Sequence, residues 1–148
     1  MLLCYTYINI INFIMKEILI HQGYWTINSV VEQPSHLYVF GDNDIGKGKG
    51  GQAIIRDLDN SIGIPTKKLP SYDINAFYTD NEYQQNCAKI DKAIYKMLKK
   101  FLKKNYTHLV FPENGLGTGL AKLPSKAPKT NKYLENKIEL VYQLFNKS

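Results

Sequence analysis

Along the chain, short apolar runs bounded by turn residues give way to two long segments in which apolar positions recur every three or four residues. The short runs, residues 17–21, 37–40, 61–64 and 108–111, are rich in β-branched and aromatic side chains and predict strands. Between 81 and 104 the apolar positions are Tyr83, Cys87, Ile90, Ile94, Met97 and Phe101, a spacing that draws one buried stripe on a helix. Thr79 or Asp80 is placed to cap this helix, with Glu82 in its first turn. A last helix follows Pro128, with Leu134, Ile138, Val141 and Phe145 on one face. Residues 26–31 and 51–58 predict two shorter helices, stopped by Gln33-Pro34-Ser35 and by Asp57-Leu58-Asp59-Asn60. Strand, loop, helix and strand thus alternate, which places the chain in the α/β class of layered folds.

Residues 2–14 break the pattern. They are almost wholly apolar, yet shorter than the ~20 residues a membrane helix needs. No basic stretch precedes them and no small-residue cleavage site follows. Met15 then opens Met15-Lys16-Glu17-Ile18-Leu19-Ile20, so residues 1–14 read as an extension or a mis-assigned start and 15–148 as the domain, with no membrane partner.

Composition changes this picture little. A chain of 148 residues can bury a core without disulfides or metal. Cys4 and Cys87 are too few for a disulfide framework and no Cys/His spacing suggests a metal, so the expected compartment is the reducing cytoplasm. The net charge of +6 favours an anionic ligand. A single arginine, Arg56, among 19 basic residues, with many Ile, Asn and Tyr, points to an AT-rich genome such as a parasite's or a virus's. In a virus the compartment is the host cytoplasm. Lys96, Lys99, Lys100, Lys103 and Lys104 make one face of the long helix basic. Its aromatic, Phe101, continues the buried stripe, so the face reads as solvated; a nucleic-acid accessory role is the alternative.

Candidate chemistry lies in two glycine-rich turns, each after a predicted strand. The first is Gly41-Asp42-Asn43-Asp44-Ile45-Gly46-Lys47-Gly48-Lys49-Gly50-Gly51, and the second is Glu113-Asn114-Gly115-Leu116-Gly117-Thr118-Gly119. Backbone N–H groups bared in such turns form nests that attract anions, and loops at the carboxyl ends of α/β strands are where ligands bind. A phosphate loop of the nucleotide triphosphatases is excluded, because Gly48 stands where the magnesium-binding Ser or Thr is required. A dinucleotide-binding βαβ unit lacks its acidic residue about twenty positions on. A pocket for another phosphate-bearing molecule remains.

The residues from Asn43 through Gly46-Lys47-Gly48-Lys49-Gly50-Gly51-Gln52-Ala53-Ile54 resemble the first ligand loop of macrodomains, which bind ADP-ribose. Val110-Phe111-Pro112-Glu113-Asn114-Gly115-Leu116-Gly117-Thr118-Gly119 resembles their diphosphate loop, and Ile62-Gly63-Ile64-Pro65-Thr66 the strand between. The resemblance runs from about Leu37 to Lys126 and is closest to uncharacterised macrodomain-like proteins of bacteria and viruses. It implies one macrodomain-like three-layer α/β domain, a mixed sheet flanked by helices, that binds ADP-ribose or a related nucleotide diphosphate without a cofactor or metal.

By that resemblance Asn43 bonds the distal ribose, with Gly41, Lys47, Gly48, Gly50, Gly51 and Thr66 around it. Gly115, Leu116, Gly117, Thr118 and Gly119 cradle the diphosphate through their N–H groups, Glu113 and Asn114 adjoin them as ligand-binding residues, and Glu113 keeps hydrolysis open. Where the family carries Gly-Asp-Ile, this chain has His21-Gln22-Gly23-Tyr24-Trp25 and no carboxylate. Arg56 offers a bidentate donor to an oxyanion, or pairs with Asp57 or Asp59. Asp42 and Asp44, beside Asn43, are either a base for hydrolysis of an ADP-ribose adduct or turn residues bonding their own backbone. The loop 66–79, with Pro70, is a candidate lid.

Overall fold

In the computed structural model, which describes residues 2–145, alternate residues of β2 (His36–Asn43) face two different cores. Leu37 and Val39 join Leu109 and Phe111 of β4 (His108–Pro112) and Ile64 of β3 (Ser61–Lys67). This core is closed by Ile90, Ile94, Met97 and Phe101 of α3 (Tyr83–Lys103) and by Leu134, Val141 and Phe145 of α5 (Pro128–Phe145). Tyr38 and Phe40 face the other way and join Val110, Trp25, Val30 of α2 (Ile27–Val31), and Ala53 and Ile55 of a 3₁₀ turn, Gly51–Ile55. Burial on both faces explains why β2 and β4 read as continuous apolar runs rather than alternating ones.

With β1 (Glu17–His21), the strands form one sheet in the order β1-β4-β2-β3, and all its pairings are parallel. Glu17 lies opposite His108, Leu37 opposite Leu109 and Tyr38 opposite Ser61. The expected mixed sheet is therefore corrected to a parallel one. Parallel neighbours need crossovers rather than hairpins, and α2, the 3₁₀ turn and α3 lie in the successive connections. Antiparallel pairing is reduced, among the described residues, to an isolated bridge between Lys67 and Phe77.

Each helix has a local reason for its limits. Thr26 and Ser29 form a reciprocal capping box at the start of α2. The stripe of α3 is buried at Ile90, Ile94, Met97 and Phe101, while Tyr83 and Cys87 sit half-buried at its outer end. Glu82, rather than Thr79 or Asp80, holds the N-cap position of α3, and it makes no side-chain cap. The Asp80 carboxylate instead accepts from the Lys129 and Thr130 amides at 2.9 and 3.0 Å, capping α5 from outside. The helix expected over 51–58 is only the 3₁₀ turn, because Leu58 bonds back to Ile55 and the chain turns into β3. Asn60 fixes that turn, donating from one amide nitrogen to the carbonyls of Val30, Gln33 and His36.

At the N-terminus, α1 (Leu2–Ile14) carries Leu3, Tyr5, Tyr7, Ile8, Ile10 and Ile11 exposed to solvent. No helix among the described residues is long and apolar enough to cross a membrane. The short α4 (Leu123–Lys126) precedes α5. Because the sheet is parallel, His21, Asn43, Lys67 and Pro112 end their strands at one edge.

Candidate functional site

At that edge lies a cavity of about 880 Å³. From the first glycine loop it takes Gly41, Gly50 and Gly51, and from the second Asn114, Gly117, Thr118 and Gly119. Thr66 at the end of β3 and Pro112 at the end of β4 join them. The two loops touch: a Cβ on Gly50 would come 3.3 Å from Leu120 Cδ1. Gly117 has φ +77°, and a Cβ there would fall 2.9 Å from Thr66 Cβ and 3.1 Å from Leu123 Cβ. Glycine at 117 is thus required by the packing of the loop on β3 as well as by its backbone conformation.

Five consecutive cavity-lining residues, Gly117, Thr118, Gly119, Leu120 and Ala121, have backbone N–H groups with no acceptor among the described residues. The amides of Gly48, Lys49, Gly50, Gly51 and Gln52 are likewise without an acceptor. Gly117 and Ala121 are buried and Gln52 is half-buried, where amides are nearly always paired with protein, water or ligand; the other residues of these rows are exposed and their amides are open to solvent. The Thr118 hydroxyl donates to the Asn114 carbonyl at 2.8 Å and so shapes the turn.

Residues that the sequence reading did not single out complete the site. Gln52 joins the loops, its Oε1 accepting from the Gly41 amide at 2.8 Å and its Nε2 donating to the Gly115 carbonyl at 3.0 Å. Trp25, the chain's single tryptophan, lines the cavity, donates from Nε1 to the Gln52 carbonyl at 3.3 Å and packs edge-on against Tyr38. Tyr24 beside it is 94% exposed. Ile54, Leu120 and Ala121 add apolar surface. The glycine after β1 was the available signal for the Tyr24–Trp25 segment, whereas a lone glutamine bridging two distant backbones leaves none.

The remaining predicted site residues lie outside this cavity. Asn43 folds onto its own loop, donating from Nδ2 to the Lys47 carbonyl at 2.6 Å and accepting from the Ile45 amide at 3.2 Å. Asp42 pairs with Arg56 at 2.6 Å, neither Asp57 nor Asp59 being the arginine's partner. Arg56 also donates to the carbonyls of Gly48 and Lys47 and packs on the Phe40 ring, which ties residues 47–48 to the end of β2. Asp44 accepts from the Tyr78 hydroxyl and pairs with Lys89 at 2.7 Å. Burial, and then the bond to Asp44, push the Tyr78 hydroxyl well above its usual range. Glu113 accepts from the Gly23 amide at 2.7 Å, joining the β1 loop to the second glycine loop.

Glu113, Gly115 and Leu116 line a smaller cavity of about 270 Å³ against α5. The loop 66–79 is not a lid over the larger cavity, which it meets through Thr66 alone. Phe77 and Tyr78 bury into the body, and the Lys68 amide bonds back to the Ala76 carbonyl. The lysine face of α3 is partly committed too, with Lys100 donating to the carbonyls of Asp59 and Ser61. Among the described residues no group of three or more His, Cys, Asp and Glu could hold a metal ion.

Residues 20–137 match DUF7831, a family of unknown function, and the chain belongs to that family. No curated protein and no solved structure matches it.

Proposed function

We propose that this member of DUF7831 binds ADP-ribose or a related nucleotide diphosphate between its two glycine loops, in a macrodomain-like way. The observation that carries the reading is the run of acceptor-free amides on cavity-lining residues 117–121, faced by Gly50 and Gly51. Several fixed N–H donors converging on phosphate oxygens bind a diphosphate without ordering a long side chain. A volume near 880 Å³ lies in the range of small-molecule sites and suits a nucleotide of this size. The basic net charge adds a long-range attraction for the anion. Sugar and base then meet the apolar and aromatic surface of Trp25, Tyr24, Ile54 and Leu120.

Binding is better supported than hydrolysis. Asp42, Asn43 and Asp44 are committed to Arg56, Lys47, Tyr78 and Lys89 outside the cavity, and among the described residues no carboxylate lines it.

The test is calorimetric titration with ADP-ribose, ADP and free ribose, followed in parallel by Trp25 fluorescence. ADP-ribose and ADP should bind and ribose should not. Gly117→Val is a poor probe because its side chain would collide with Thr66. Gly119, whose Cβ would meet nothing within 4 Å, is the better one. Gly119→Val should keep the wild-type melting temperature and lose at least tenfold in affinity. If the wild type binds no diphosphate at millimolar concentration, the reading is wrong.

A further inference from the structure

Beside the cavity, the lysine that ends β3 is in an unusual position. Lys67 is only 8% exposed, yet among the described residues its ammonium has no hydrogen-bond acceptor and no carboxylate within ion-pair distance. The stem is buried, while Nζ keeps contact with solvent rather than being a fully buried unpaired atom. What surrounds Lys67 is aromatic and cationic. Its Nζ stands 4.7 Å from the centroid of the Phe77 ring and 5.2 Å from that of Tyr72. Lys126 Nζ stands 5.1 Å from the same Phe77 centroid. Lys122 is near enough to act on Lys67 electrostatically, and burial followed by that repulsion lowers the Lys67 pKa.

Of the acids on neighbouring segments, Asp73 beside Tyr72 makes no ion pair among the described residues, and three others are spent elsewhere. Asp44 pairs with Lys89, Glu82 with Lys68, and Asp80 with the start of α5. Lys122 and Lys126 are held one turn apart by the bond from the Lys126 amide to the Lys122 carbonyl. Lys122 does so at φ +49°, the one non-glycine residue with positive φ among those described. Such a conformation persists only where the surroundings enforce it. Lys67 and Lys126 thus share the Phe77 ring, Lys122 acts on Lys67, and none of the three forms an ion pair with a carboxylate among the described residues; their chain neighbours Thr66 and Ala121 line the larger cavity.

We propose that Lys67, Lys122 and Lys126, over the Phe77 and Tyr72 rings, form a second anion site that takes a phosphate dianion. It is separate from the amide rows of the glycine loops and does not depend on the nucleotide reading. A ligand filling the cavity would reach it with a phosphate carried beyond the diphosphate. Free inorganic phosphate would reach it alone.

The test is an NMR titration of the full chain with inorganic phosphate at constant ionic strength, repeated on Lys67→Met and Lys126→Gln. Methionine keeps the unbranched stem against Phe77 and removes the charge. Saturable amide shifts should appear at Lys67, Phe77, Lys122 and Lys126. They should weaken at least tenfold in Lys67→Met and severalfold in Lys126→Gln, with both variants keeping the wild-type spectrum elsewhere. Shifts confined to residues 117–121, or shifts unchanged in the folded variants, would overturn the site. A second titration of the wild type compares ADP-ribose with ADP-ribose carrying an additional phosphate monoester. Tighter binding of the latter, lost in Lys67→Met, places the second anion site in reach of the cavity. Failure of ADP-ribose alone to bind would count against the nucleotide reading and leave the inorganic phosphate result standing.

Discussion

Replacing Gln52 by methionine isolates what holds the two glycine loops in register. Methionine keeps the length and flexibility of the side chain but removes both polar atoms. The Gly41 amide then loses its acceptor and the Gly115 carbonyl its donor, bonds of 2.8 and 3.0 Å in the wild type. Each such bond contributes about 0.5–1.5 kcal/mol net, so Gln52→Met should destabilise by roughly 2 kcal/mol. For a domain of this length that is a fall of about 4–8 °C in melting temperature. Gln52→Glu separates this structural role from the electrostatics of the site. It keeps an acceptor for Gly41, removes the donor to Gly115, and puts a negative charge beside the cavity. A unit charge about 10 Å from a bound phosphate, at an effective dielectric of ~20, costs about 1.7 kcal/mol, more than tenfold in Kd. Urea unfolding read by Trp25 fluorescence gives the stabilities, and calorimetry with ADP gives the affinities. A loss below about 0.5 kcal/mol in Gln52→Met would mean that the bridge does not hold the loops. Equal ADP binding by wild type and Gln52→Glu, both folded, would place the anion elsewhere.

Other outcomes follow from burial and capping. Ile94→Ala should cost roughly 2–5 kcal/mol, against less than about 0.5 kcal/mol for exposed Lys99→Ala, and equal losses in urea unfolding would refute the assigned face of α3. The Asp80 carboxyl is raised by burial but held below its usual value by the hydrogen bonds from Lys129 and Thr130. Its contribution is therefore fully present above the unfolded-state value of 3.8 and lost as pH falls through the lower folded value. Asp80→Asn should cost about 1 kcal/mol at neutral pH and flatten the acid limb of stability below pH ~4; an unchanged limb refutes the cap. A chain beginning at Met15 should melt within about 2 °C of the full chain, since the α1 side chains from Leu3 to Ile11 are exposed; a larger fall would show that α1 packs on the domain.

The strands and the long helices were legible because their signals are local. β1 has its expected bounds, and the buried residues of α3 fall on the expected stripe. β2 and β3 run on to Asn43 and Lys67, past residues whose composition reads as turn, because parallel pairing continues through Gly41–Ile64 and Asp42–Pro65. The pairing that extends them belongs to two segments at once and is invisible in either. The same holds for the site. Glycines mark both loops, but Arg56 with Asp42, Asp80 with α5, and Gln52 with Gly115 are partners chosen by the sheet order.

The strand order also governs when the domain can form. β2 and β3 are adjacent in sequence and can pair as soon as Lys67 is made, with α3 following directly to cover them. β1 is made first, yet among the described residues it pairs with β4 alone, so Glu17 waits roughly ninety residues for His108. Closing contacts of such separation is slow, and hydrogen-exchange labelling during refolding should find β2 and β3 protected before β1. Until Pro112 is in place the first strand has no partner and the second glycine loop does not exist. The proposed nucleotide site is therefore completed only with the last-completed strand.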